Sequence, residues 1–305
     1  MGAALVAVHG SGQAEPVVPS PPRVADAAPA AAGSDGGLLF RAERAEATVF
    51  VYGTVHIGAA TFYPLSLPVL LALRRSQALL VEVDVLAADL PQQFRRHGLL
   101  PDGEPSLALT EADAARIDPM LRAAQIDPVL ARRFKPDVLA ATLVVLSARE
   151  LGLSTAYSVE SFLLGFARAL GIAVIELEGL AAQLGLNDDL PESERRNMLD
   201  DALRALANGG SQRSVARIIK AWQQHDLGLL EATLDPAERG DTSAALHERL
   251  TRQMVTRNAA MVGRIVALGA THQRLFAAVG ALHLPGAQGL PQLLERQGFR
   301  ITRLL

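Results

Sequence analysis

Two short segments near opposite ends of the chain share one pattern. VYGTVHIG (51–58) and AVGALHLPG (278–286) each run from an apolar stretch into Gly-x-x-His. A glycine where a strand ends lets the backbone turn sharply. The histidine then falls just past the strand's carboxyl end, where open α/β sheets place their ligands. Of the seven histidines, only His56 and His283 have this setting; His9, His97, His225, His247 and His272 lie in polar, helical or disordered contexts. A single such histidine is an ordinary structural residue. Two in matching contexts point to a shared site.

The remaining pattern agrees with a sheet-centred fold. LLFRAE and TVFVYGTVH read as strands flanking a turn at Arg44–Ala47, and Leu65 to Gln77 as a helix with basic residues in its last turn. ALLVEVDV (78–85), IAVIELE (172–178), RLFAAVG (274–280) and the terminal FRITRLL read as further strands. Thr110 to Asp113 carries a capping signal for a helix running towards Ile126, and Pro136 is placed to open another. Residues 191–268 read as helical, broken at Gly209–Gly210 and at Leu234–Asp241, and Ala287 to Gln297 as a last helix. The expected class is α/β (α+β): one domain with a central mixed sheet and a large helical insertion. No repeat is visible, which argues against a solenoid.

Composition narrows the chemistry. Half of the 305 residues are apolar, enough for a sizeable core. A formal net charge of −3 lacks the basic excess of a nucleic-acid binder. There is no cysteine, so disulfides, iron–sulfur clusters, thiolate zinc sites and a cysteine nucleophile are all excluded. Any metal must be held by His, Asp and Glu. Residues 1–37 are rich in Pro, Ala, Gly and Ser and are expected to be a disordered leader or linker, leaving 38–305 as the folded domain. The run Ala3–Val8 is short for a secretory signal and no basic residue precedes it. No stretch of apolar residues is long enough to span a membrane.

Carboxylates occur where an apolar strand would exclude them. Glu82 and Asp84 alternate within LLVEVDV and would share one face of a strand; Glu176 and Glu178 repeat the spacing. Charges in such a run are costly unless paired or metal-bound, although an edge strand with a solvated face also accommodates them. Arg257 and Asn258, within a long helical stretch, read by themselves as surface residues. Several common sites are missing. There is no Gly-x-Ser-x-Gly elbow, Walker A loop or His-Glu-x-x-His. The segment LVAVHGSGQAEP fails as a dinucleotide fingerprint because Glu15 replaces the third glycine and Pro16 follows.

Taken in order, a set of residues resembles the TraB/GumN family, in the superfamily that includes the Tiki proteins. They are Gly53-Thr54-Val55-His56, Phe62-Tyr63-Pro64, Val81-Glu82-Val83-Asp84, Lys135-Pro136, Val159-Glu160 and Leu177-Glu178 with Gln183. Arg257-Asn258 and Gly280-Ala281-Leu282-His283-Leu284, with Gly286 and Gly289-Leu290, complete it. The resemblance spans nearly the whole chain from Leu38. Two departures are Thr256, where an acid is common, and Gly179, where Thr is usual.

The resemblance implies a metal-dependent hydrolase of peptidase type, using a divalent ion, manganese or cobalt ahead of zinc, and acting on a peptide or small-molecule substrate. His56, His283 and Glu82 would bind the metal, an N/O ligand set suited to such ions. Glu178 or Asp84 would assist proton transfer, and Arg257 would stabilise developing negative charge. The wider superfamily also contains haem-binding proteins, so the alternative is a non-catalytic haem or small-ligand binding protein. Family resemblance implies the periplasm or cell envelope; the N-terminus alone leaves the cytoplasm open.

Overall fold

The computed structural model describes residues 36–235 and 244–305. The segment expected to be a disordered leader therefore lies, up to residue 35, outside the described residues, as does most of the break expected at Leu234–Asp241. Gly36 and Gly37 are already packed, the first against the Trp222 ring and the second against Tyr52.

Six strands form one mixed sheet: β1 (Leu39–Arg44), β2 (Ala47–Thr54), β3 (Ala78–Val81), β4 (Ala173–Glu176), β5 (Arg274–Gly280) and β6 (Arg300–Arg303). The order across the sheet is β4-β3-β5-β2-β1-β6. Strands β4, β3, β5 and β2 run parallel, and β1 pairs antiparallel with both β2 and β6. Strand β5 lies inside the sheet, which explains its composition. Leu275 to Val279 are all buried, as a central strand covered on both faces requires. The first and last parts of the chain are thereby joined, since β2 and β5 pair along their whole length from Thr48↔Arg274 to Thr54↔Gly280.

Helices fill the connections. Thr110 caps Glu111–Ala123 by accepting from Asp113 N–H, and Pro136 opens Pro136–Ser147, both as the sequence indicates. The helical part is split in two by β4, with Glu192–Ala207, Gly210–Gln223 and the long Ala244–Gly269 in its second half. The fold is the expected central mixed sheet with large helical excursions. One expectation needs correction. ALLVEVDV does not run as a strand through Val85; β3 stops at Val81. Strand alternation therefore does not place Glu82 and Asp84 on one face.

Candidate active site

The register brings four strand ends to one edge. Thr54 of β2 pairs with Gly280 of β5, and Val81 of β3 pairs with Ala278 of β5 and Glu176 of β4. Each strand then delivers a polar residue within three positions: His56, Glu82, Glu178 and His283. The two Gly-x-x-His turns pack on each other. A Cβ at Gly53 would meet Leu284 Cδ1 at 2.6 Å and Ala281 Cα at 3.2 Å, so the close approach depends on a glycine there. The buried Trp222 indole donates to the Gly53 carbonyl at 2.8 Å and fixes the first turn from the helical side.

Glu82 is the most heavily bonded group of the site. Its Oε1 accepts from Gly280 N–H at 2.7 Å and lies 3.5 Å from His283 Nε2. Its Oε2 accepts from Arg257 Nη2 at 2.8 Å and from Gln183 Nε2 at 2.9 Å. Arg257 also grips Glu178 with two bonds of 2.7 Å, and Gln183 reaches Glu178 at 2.9 Å. Arg257 and Gln183 therefore clamp two carboxylates together from opposite segments. Such a bidentate guanidinium pair is the geometry in which arginine binds carboxylates best.

Each histidine is tied at Nδ1 by an oxygen. His56 Nδ1 stands 3.0 Å from Glu160 Oε1, and His283 Nδ1 stands 2.5 Å from Asn258 Oδ1. Both partners are acceptors through those atoms, so Nδ1 carries a proton, and in the neutral ring Nε2 then presents its lone pair. Glu160 also accepts from the Thr54 hydroxyl and, at 3.2 Å, from Ser158 Oγ. It sits in the first turn of the helix Val159–Ala169, whose amino end favours an anion. Asn258 is held in turn by the Gln288 carbonyl at 2.7 Å.

The electrostatics separate the two imidazoles. Burial opposes charging of His56, but the charge of Glu160 and its hydrogen bond outweigh burial and raise the His56 pKa. Glu160 is lowered for the reciprocal reason: burial works against its charge, and His56 and Thr54 more than offset that. Burial dominates at His283, whose pKa falls to about 4 despite Glu82 nearby. Glu82 resists its own burial because His283, Arg257 and His56 face it, and its carboxyl is held well below the usual range. His283 is thus a neutral imidazole at neutral pH and Glu82 a carboxylate.

Three of these groups meet in front of Gly280. A Cβ there would stand 3.3 Å from Glu82 Oε1, 3.6 Å from His283 Cδ2 and 3.8 Å from His56 Nε2. Of the residues singled out in the sequence, His56, Glu82, Glu178, Arg257 and His283 come together. Asp84 does not join them. It bonds Arg168 at 2.7 Å and the Leu86 N–H at 3.1 Å, while Glu176 accepts from the Asp84 N–H. Glu160, Asn258, Gln183 and Thr54 complete the network without having been given a role by spacing. The one local signal for Glu160 is its place two residues after Ser158, the cap of an otherwise apolar helix.

Residues 38–303 match the TraB/PrgY/gumN family. The chain belongs to that family. It is 29% identical over 244 residues to the uncharacterized protein YbaP of Escherichia coli (strain K12), covering 80% of this chain and 86% of the relative. The YbaP of Shigella flexneri matches equally well. No solved structure matches. In this TraB/PrgY/gumN chain, no group of three or more His, Asp or Glu side chains arranged to hold a metal ion occurs among the described residues. Glu82 Oε2 is occupied by Arg257 and Gln183, while Oε1 lies on the Gly280 side with His56 Nε2 and the edge of the His283 ring. By donor type alone the set would fit a divalent ion: two imidazoles, each backed at Nδ1 by an oxygen, beside one carboxylate.

Proposed function

We propose that this site is a divalent-metal-dependent hydrolase centre acting on a peptide or amide bond. The observation that carries the reading is the approach of His56 Nε2, the edge of the His283 ring and Glu82 Oε1 to one position in front of Gly280, with both rings tied at Nδ1. His56, His283 and Glu82 would hold the ion, with manganese or cobalt preferred to zinc. A divalent ion bound there supplies a polarised water and a Lewis acid for the substrate carbonyl. Glu160 and Asn258 orient the imidazoles, and Arg257 keeps the charges of Glu82 and Glu178 side by side. Glu178 would be the group that takes a proton, once released from Arg257; Asp84 braces the loop after β3 instead.

The test is metal analysis of the purified protein beside His56→Ala and His283→Ala, with cleavage of quenched fluorescent peptides measured after chelation and after manganese or cobalt is restored. Metal content should drop in both variants, and cleavage should return with the ion. Unchanged metal content in both variants overturns the assignment. A haemin titration serves as the counter-test: a Soret shift that is lost in the same variants would favour haem binding instead.

A further inference from the structure

The loop that carries His56 is held on both sides of the histidine by one side chain. It leaves β2 at Thr54 and closes with the single turn Ala60–Phe62. At its start, the buried Gly53 carbonyl accepts from the Trp222 indole at 2.8 Å, while the Gly53 N–H donates to the Leu38 carbonyl at 2.9 Å. At its end, Phe62 packs on the same indole, with ring centroids 5.2 Å apart and planes inclined by 30°. Phe62 also lies against Gly58, where an added Cβ would stand 3.1 Å from Phe62 Cδ2. The indole thus touches the chain before His56 and after it.

The indole itself has little freedom. Trp222 is fully buried and belongs to the helix Gly210–Gln223. A Cβ at Gly36 would come within 2.2 Å of its Cζ3, so the ring fills the space up to the backbone of that glycine. The Trp222 carbonyl accepts from the Gly37 N–H at 2.8 Å, and the Tyr52 hydroxyl donates to the Gly36 carbonyl at 2.9 Å. Ring and backbone are both locked to the residues just before β1. His56 is restrained far less: its side chain is tied to Glu160 at Nδ1, and a third of it is exposed. The aim of such a ring depends on the backbone that bears it. A buried carbonyl left bare is unfavourable, so the indole N–H keeps Gly53, and with it the start of that backbone, in place.

We infer that Trp222 is a positioning residue for His56. Its N–H fixes the chain ahead of the histidine and its ring fixes the chain behind it, which keeps the imidazole against Glu160. This role rests on the assignment of His56 to the proposed centre, but on no property of the ion, so either can fail without the other.

The experiment reads the ring nitrogens of His56 and His283 by long-range proton–nitrogen NMR in the full chain with chelator, at a pH where both rings are neutral. In the wild type each Nδ1 should carry the proton. Trp222→Phe keeps an aromatic ring against Phe62 but removes the donor. It should bring His56 to the mixed tautomers of an untethered imidazole and leave His283, pinned by Asn258 on the other turn, as it was. Gly36→Ala, which keeps the donor but displaces the ring, should act in the same direction. Because the chain has one tryptophan, its biosynthetic replacement by benzothienylalanine removes the N–H at nearly constant size, and decides if Trp222→Phe fails to fold. Manganese affinity should fall about tenfold in each altered protein. Unchanged His56 nitrogens in the donor-less proteins overturn the assignment. Equal disturbance of both histidines also overturns it, since Trp222 then supports the fold at large. A wild type that binds no manganese sinks the divalent-ion reading and leaves the nitrogen signals to decide the role of Trp222.

Discussion

His56 and Glu160 set each other's charge, and each is therefore the best probe of the other. In Glu160→Gln the amide oxygen can still accept from Nδ1, but the negative charge is gone. Burial then outweighs the remaining pull of Glu82, so the His56 pKa should move from above its usual value to below it. An NMR titration of the His56 ring measures this directly, and an unmoved pKa would contradict the pairing. Asn258 does the same work for His283 without a charge. Replacing it with leucine leaves a buried Nδ1 proton unpaired, at a cost of about 1–3 kcal/mol in a urea titration. Asn258→Asp should instead raise the His283 pKa, because a carboxylate beside the ring favours the imidazolium.

At the scale of elements, the site is four strand ends and one long helix. Arg257 comes from Ala244–Gly269 and crosses those ends to hold Glu82 and Glu178, two side chains 7% and 10% exposed. Removing it as Arg257→Leu strands two adjacent buried charges and should destabilise by about 3–5 kcal/mol. Adding Glu178→Gln to that variant should restore part of the loss, a non-additivity that a double-mutant cycle reads. This architecture was legible in the sequence to an uneven degree. The strand-end histidines announced themselves because Gly-x-x-His follows two apolar runs, and pairing of β2 with β5 makes those runs neighbours. Glu82 stood out as a charge within an apolar run. The same run misled about Asp84, because composition does not say where pairing stops: past Val81, the carbonyl of Glu82 accepts from Glu178 and Gly179, and the chain bends away. Glu160, Asn258 and Gln183 were visible only through family resemblance. Their roles come from helix packing, which places residues far apart in sequence against the strand ends, and no local periodicity records that.

For the whole molecule, the site's titrations set the acid limb of stability. His283 is held near pKa 4 in the folded chain and titrates near 6.5 when unfolded. Between those values the unfolded state binds a proton that the folded state refuses, so stability falls as pH drops from about 6.5 towards 4. Glu82 and Glu160, both lowered, give stability that is present above the ordinary carboxylate range and is lost as pH falls below it. His56 acts in the opposite direction: its raised pKa adds stability as pH falls through the interval above 6.5. A third of its side chain is exposed, so that gain is screened and small. The net expectation is a decline that begins before the carboxylates titrate. The single tryptophan reports it well, because Trp222 is fully buried and bonded to the first Gly-x-x-His turn. Urea midpoints from Trp222 fluorescence should fall between about pH 6.5 and about pH 5, in step with far-UV circular dichroism if unfolding is two-state. In His283→Gln, which cannot take up the proton, the same interval should be flat or nearly so. Equal slopes in the two proteins would mean that the decline arises elsewhere, and that His283 is not the buried neutral imidazole on which the donor set depends.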